Sequence, residues 1–90
     1  MQKPLLDLNV ADLAPADDVL TEYDEEHLVT YLRLLDGANA GADWREVSRI
    51  VLHRDPDAEP NRTRRAYDSH LERARWLSEQ GYKGFVQAPG

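Results

Sequence analysis

The sequence contains no cysteine, and only one methionine and one phenylalanine among its 90 residues. The absence of cysteine excludes disulfide bonds, thiolate catalysis and cysteine-based metal sites. No run of apolar residues is long enough for a signal peptide or a membrane span, so we expect a cytoplasmic protein that does not insert into membranes. The length limits the chain to one domain.

Motifs for catalysis and cofactor binding are also missing. The histidines His27, His53 and His70 have no partner at metal-ligand spacing, and the chain has neither a glycine-rich phosphate loop nor a nucleophile elbow. We therefore expect no enzyme activity, no cofactor, no metal and no small-molecule ligand. His70 falls on the apolar face of a predicted helix, which favours a core histidine with satisfied hydrogen bonds over a ligand.

Charge is divided unevenly along the chain. Residues 1–42 contain two cations and nine acids, a net charge of -7, whereas residues 43–90 contain nine cations and eight acids, a net charge of +1. The whole chain carries -6. Because a DNA duplex is a dense line of negative charge, the acidic first half opposes DNA binding unless it points away.

Apolar spacing and capping signals predict an all-α fold with three helices. The first helix is predicted over about residues 24–36, where Thr21 and Asp24 resemble a capping box and Gly37 supplies the stop. Pro4 and Pro15 break the region before it, which we interpret as a flexible acidic arm over residues 1–20. The folded domain is then predicted over residues 21–86, followed by a frayed tail at 87–90.

The second and third helices form the unit that points to a function. The second is predicted from Asp43 to about His53, and its apolar stripe is formed by Trp44, Val47, Ile50 and Val51. Residues 55–60 hold two prolines and three acids, so they predict a turn, and the third helix follows from about Pro60 to Gln80. A short helix, a turn and a longer arginine-rich helix are typical of the helix-turn-helix of DNA-reading proteins.

A projection of the third helix separates a core face from a charged face. We assign seven residues to the core: Thr63, Ala66, Tyr67, His70, Leu71, Ala74 and Leu77. The opposite side contains arginines and acids, and Trp76 falls among them. Large aromatic residues among arginines are typical of recognition surfaces, so we predict a partner-binding site. Its candidate residues are Arg62, Arg64, Arg65, Arg73 and Trp76.

Each candidate also has a simpler interpretation. The arginines can form ion pairs with acids at helical neighbour spacing, which makes a solvated face. Arg62, Arg64 and Arg65 are less easily neutralised than the others, because they lie near the start of the helix, where the helix dipole disfavours cations. Trp76 can be covered by the N-terminal arm or by the C-terminal tail.

Three blocks of the sequence resemble a known family: YDEEHLVTYLRLLDG, GADWREVSRIVLHRDPDAEPNRTRRAYDSHLERARWL and GYKGF. They look like the small members of the proteobacterial domain-of-unknown-function family 2285, over about residues 20–86. The resemblance implies a helix-turn-helix variant found in transcription factors and in integrative and conjugative elements. It also implies a kinship with antiactivators that bind transcriptional activators, including a LuxR-type quorum-sensing regulator, and thereby restrain excision and transfer of the element.

Two main functions follow from these observations. The first is a protein-binding antiactivator whose partners are transcriptional activators, which the acidic net charge and Trp76 favour. The second is a small DNA-binding transcriptional regulator, which the helix-turn-helix pattern favours, although the charge predicts weak or indirect DNA binding. A third is a structural subunit that completes a split activator. The sequence favours the antiactivator.

Overall fold

The computed structural model describes residues 10–81 of the chain, with side chains described for residues 10–79. This part of the chain contains no strand and four α-helices: α1 (Glu22–Glu26), α2 (Leu28–Asn39), α3 (Trp44–Val47) and α4 (Pro60–Trp76). A π-helical turn extends α3 over Ser48–Leu52, and another extends α4 over Leu77–Gly81. The predicted all-α, helix-turn-helix-like fold class is confirmed.

Three parts of the predicted domain organisation lie outside the described residues: positions 1–9 of the arm, positions 82–86 of the domain and the tail at 87–90. Over the region that the structure does describe, no helix is both long enough and apolar enough to cross a bilayer.

The first predicted helix is present as two helices. The capping box at its start is confirmed, because Thr21 Oγ1 accepts from the Asp24 amide at 3.2 Å and Asp24 Oδ2 accepts from the Thr21 amide at 2.9 Å. The break comes at His27, whose backbone leaves the helical region at φ -113° and ψ 22°. The ring of His27 stacks on that of Tyr23 at 4.0 Å, and Nδ1 hydrogen-bonds to the Tyr23 carbonyl at 2.8 Å. The Tyr23 carbonyl thus interacts with both the ring and the backbone N–H of His27 at the point where the helix breaks.

The predicted helix stop at Gly37 is wrong, because α2 continues past it. The cap forms instead at Gly41, which adopts a left-handed φ of 76°, and the Ala42 amide donates to the Gly37 carbonyl at 2.9 Å. This is the hydrogen bond of a Schellman motif. Gly37 has a packing role: a Cβ there would lie 3.0 Å from Val47 Cγ2, so its absence allows α2 to approach α3 closely.

The apolar stripe predicted for the second helix is wrong at one position. Ile50 is 63% exposed, whereas Leu52, which the stripe omits, is 1% exposed and belongs to the core. The cause is the π-helical turn after α3, which holds an extra residue and rotates Leu52 inward in place of Ile50. Val47 is buried as predicted, and Trp44 and Val51 are partly buried against the core.

The core face predicted for the third helix is confirmed at all seven positions. His70 is fully buried with both ring nitrogens hydrogen-bonded, as predicted for a core histidine. Its Nδ1–H donates to the Ala66 carbonyl at 2.7 Å, so Nε2 of the neutral ring accepts from the Tyr23 hydroxyl at 2.6 Å. Burial lowers the pKa of His70, which favours this neutral form. The Tyr23 oxygen in turn accepts from the Ala11 amide at 2.9 Å.

The N-terminal segment, which we define as residues 10–20, is non-helical and lies along one flank of α4. Val10 is buried in the core, and its carbonyl accepts from Arg54 Nη2 at 2.8 Å. Further along the segment, the Ala14 amide donates to Ser69 Oγ at 3.1 Å. These contacts place part of the predicted arm against the helical domain; the flexibility of residues 1–20 stays a prediction.

Candidate functional site

The turn between α3 and α4 presents the start of the long helix to solvent. It opens at His53, which takes the left-handed conformation with φ 58° and ψ 40°. Within it, Asp55 Oδ1 accepts from the Asp57 amide at 2.9 Å, and the Asp55 carbonyl accepts from Thr63 Oγ1 at 3.3 Å. Pro60 then occupies the first turn of α4, where its missing N–H costs no helical hydrogen bond. The turn is longer than that of a standard helix-turn-helix, so the unit is a variant of that motif.

The structure distributes the five predicted site residues over three environments. Arg62, Arg64 and Arg65 are exposed near the start of α4, as the projection predicts. Trp76 is half-buried and Arg73 is buried. The three exposed arginines therefore form a surface that does not include Arg73.

Arg62 is already engaged by an acid from the N-terminal segment. Its Nε donates to Asp12 Oδ1 at 2.9 Å, and the same oxygen lies 3.1 Å from Nη2 of Arg54. Glu59 adds a longer ion pair to Arg62 at 3.3 Å. The hydrogen bond from Arg62, reinforced by the positive charges of both arginines, lowers the pKa of Asp12. Sequence reasoning missed Arg54 and Asp12, because helical periodicity carries no signal for a contact between residues 42 positions apart.

Arg64 belongs to a cation–aromatic cluster that joins the starts of α3 and α4. Its guanidinium lies 4.9 Å from the ring centroid of Trp44, and that of Arg45 lies 5.0 Å from the same ring. Trp44 also contacts Tyr67, with ring centroids 6.2 Å apart. Arg64 Nε donates to both carboxylate oxygens of Asp68 at 3.1 Å. The cluster positions two guanidinium groups at the surface of the helix-turn-helix unit.

Arg65 is the predicted site residue whose guanidinium stays available to contact a partner. It is exposed and makes no ion pair with any residue whose side chain the structure describes. The ion pair of Arg65 with Asp68 or Glu72 that helical spacing allows is not formed, and Asp68 pairs with Arg64 instead. Asn61 is exposed one helical turn earlier on the same face. The expectation that three unneutralised arginines stand at the helix start is thus correct for Arg65 alone.

The placement of Arg73 on the exposed face is wrong. Its side chain is 4% exposed and pairs with Asp24, which is fully buried, at 2.7 Å and 3.0 Å. Two carbonyls of the N-terminal segment, those of Asp17 and Val19, accept from it at 2.6 Å and 2.9 Å. A projection of one helix assigns Arg73 to the polar side, but it does not show that another helix and the N-terminal segment supply partners there.

One face of the Trp76 ring is covered by the side chain of Arg73. The Arg73 guanidinium lies 4.2 Å from its ring centroid, and residues 14–18 line a depression beside it. Arg73 therefore covers one face of the ring, and the interpretation in which the N-terminal arm covers Trp76 stays a prediction. The role of Trp76 in partner binding also stays a prediction, and the role of the tail lies outside the described residues.

An all-helical domain whose turn presents the arginine-bearing start of a long helix has the architecture of the helix-turn-helix class. The chain belongs to the RovC DNA-binding domain family: the family model, described as the DNA-binding domain of a T6SS transcription factor, matches residues 3–87. A search of curated proteins finds no match. The family match supports the class of domain that the sequence blocks imply, but not the assignment to family 2285 or the kinship with antiactivators.

Proposed function

We propose that this chain is a DNA-binding domain of a transcriptional regulator, and that the first turns of α4 enter the major groove. The proposal is supported by the family match over residues 3–87 and by the exposure of the start of α4. In helix-turn-helix proteins the N-terminal residues of the second helix contact base edges. The proposed function involves no catalytic step and no cofactor. We propose that the protein acts in the cytoplasm.

The observation that carries the proposal is the pair Asn61 and Arg65, both exposed on one face of α4. Arginine donates to the O6 and N7 atoms of guanine, and asparagine pairs with the N6 and N7 atoms of adenine. Arg45 and Arg64 flank this face through their contacts with Trp44, where they are suited to contact phosphates. The two classes of contact, to bases and to backbone, are thus represented near one end of α4.

Charge limits how far this surface extends along α4. Glu72 in the second half of α4 and Glu79 in the π-helical turn after it are exposed, and they would repel phosphates. The contact is therefore confined to the first half of α4. Each neutralised phosphate contributes close to one unit to the slope of log affinity against log salt. With few free arginines, we expect a shallow slope and modest affinity.

The test compares two arginines of the same helix. Arg65 and Arg75 are both exposed, and neither forms an ion pair among residues 10–79. Duplexes selected from a random-sequence pool by the wild-type protein serve as the probe, with affinity measured by fluorescence anisotropy. Arg65→Ala should weaken binding about tenfold, the effect of losing one base contact, whereas Arg75→Ala should change it less than about twofold. Failure of the wild type to select any sequence, or equal binding by Arg65→Ala, would contradict the proposal.

A second candidate is the antiactivator function, and one observation favours it. A groove between α2 and the end of α4 is lined almost wholly by apolar side chains, including Leu28, Leu32 and Leu35. Leu32 is 61% exposed. Such a surface fits the apolar face of an amphipathic protein segment and has nothing to offer a phosphate. Capture of a transcriptional activator by the purified chain in the absence of DNA would support this function, and sequence-specific DNA binding without any activator would favour the first.

A further inference from the structure

Two arginines converge on a single carboxylate oxygen beside the proposed DNA-binding surface. Arg54 lies in the turn before α4, and Arg62 lies in the first turn of α4. Oδ1 of Asp12 is 3.1 Å from Arg54 Nη2 and 2.9 Å from Arg62 Nε. We call Arg54 and Arg62 the arginine pair. It is assembled from the turn and the first turn of α4, next to the residues proposed to contact bases, and helix N-termini are among the groups that contact DNA phosphates.

The arginine pair is preorganised for an anionic oxygen. The Arg54 side chain is only 17% exposed, and its Nη2 is held by the Val10 carbonyl at 2.8 Å. Arg62 is steadied by Glu59 at 3.3 Å. A phosphate oxygen carries the same charge as a carboxylate oxygen and accepts the same guanidinium hydrogen bonds.

We propose that the arginine pair is a binding site for a DNA phosphate and that Asp12 occupies it in the free protein. The proposal rests on the proposed DNA-binding function. The Asp12 side chain is 52% exposed, so it can leave the pair by rotating into solvent while Val10 stays in the core. Asp12 then acts as an intramolecular competitor that lowers the affinity for DNA.

The expected effect follows from the weakness of exposed ion pairs. Such pairs hold their partners only loosely, so a phosphate can displace Asp12 at a modest cost. Replacing Asp12 by asparagine removes the competing charge, so a phosphate can bind the arginine pair without displacing it. We expect roughly a threefold to tenfold gain in affinity.

The experiment compares Asp12→Asn with Asp18→Asn. Asp18 lies in the same N-terminal segment, is exposed, and forms no ion pair with the residues described, so its replacement makes the same change in net charge away from the arginine pair. Affinity for a random-sequence duplex is measured by anisotropy over a series of KCl concentrations. Asp12→Asn should bind more tightly than both Asp18→Asn and the wild type. Equal affinities for the two variants would overturn the proposal.

A second pair of variants ties the effect to the arginine pair itself. Arg62→Gln should weaken DNA binding more in the Asp12→Asn background than in the wild type, because only there is the site free of its competitor. Equal effects in the two backgrounds would show that Asp12 does not compete for Arg62. If the wild type binds DNA and Asp12→Asn does not bind it more tightly, Asp12 does not compete with DNA, but the proposed function stands. If neither protein binds any duplex at low salt, the proposed function fails as well.

Discussion

Replacing Arg73 by methionine is the sharpest test of how this fold is held together. The substitution keeps an unbranched side chain of similar length but removes the charge. It leaves the Asp24 carboxylate, which is fully buried, without its only cationic partner among the residues described. It also removes the donors to the carbonyls of Asp17 and Val19, which hold the N-terminal segment against α4.

The magnitude follows from these contacts. Removing one partner of a buried ion pair costs about 3–5 kcal/mol, because the other charge is left buried and uncompensated. A domain of this size has roughly 5–13 kcal/mol of total stability. Arg73→Met should therefore lose a large fraction of the free energy of unfolding. Arg75→Met, an exposed arginine two positions along the same helix, should change it by less than about 0.5 kcal/mol.

Urea unfolding at several pH values provides the assay, because acid should lower the stability of the two proteins to different extents. Burial of Asp24 raises the pKa of its carboxyl, but the hydrogen bonds from Arg73, Thr21 and Tyr31 together outweigh that effect and lower it to about 2. The ordinary value is 3.8. The wild type therefore keeps this contribution above pH 3.8 and loses it as the pH falls towards about 2. In Arg73→Met the hydrogen bonds from Thr21 and Tyr31 remain but those from Arg73 are lost, so the pKa of Asp24 should rise and acid should lower stability less than in the wild type.

Two results would refute this reasoning. A loss below about 1 kcal/mol in Arg73→Met at pH 7 would show that the pair is not essential to the fold. A loss of stability in acid as large as that of the wild type would show that Arg73 does not hold down the pKa of Asp24. The double variant Asp24→Asn with Arg73→Met should lose less stability than the sum of the losses of the single variants, because it contains no buried charge without a partner at this site.

Two further predictions concern the cap of α2 and the buried histidine. Gly41→Ala should destabilise the protein by about 1 kcal/mol, because φ at this position is 76°. Gly41→Asn should destabilise it less, because asparagine tolerates this left-handed region. Equal losses of stability for the two variants in thermal unfolding would contradict the prediction. Burial lowers the pKa of His70 from its ordinary 6.5, so the unfolded chain binds the proton more readily and stability should fall as the pH drops below 6.5. His70→Gln should flatten this dependence between pH 7 and pH 5; an unchanged slope would assign it to another group.

The sequence predicts this fold well wherever the information is local to one helix. The core face of α4 follows from a regular 3.6-residue period, and the capping box at Thr21 follows from spacing alone. The same reasoning fails at Ile50, because a π-helical turn changes the period within the helix. It also fails at Gly37, because α2 is capped at Gly41 instead, and Gly37 is explained by its close packing against Val47.

The candidate site is less predictable because its environment is set by long-range contacts. Helical spacing correctly exposes Arg65, but it gives no sign that Asp12 engages Arg62 or that Asp24 buries Arg73. Both partners come from the acidic half of the chain, whose charge is visible in the composition but whose pairing is not. The family match then shifts the favoured function from the antiactivator to the DNA-binding alternative.

The N-terminal segment also has a consequence for the order of folding. The helices are built from local contacts, but the hydrogen bonds from Ala14 to Ser69 and from Arg73 to Asp17 join residues 55 and 56 positions apart. Closing such a loop costs conformational entropy that is regained only when α4 and its buried ion pair are in place. Docking of the N-terminal segment should therefore be the slow, late step of folding. A chain shortened to begin at residue 21 would still form its helices, yet it would lose the contacts that cover one flank of α4.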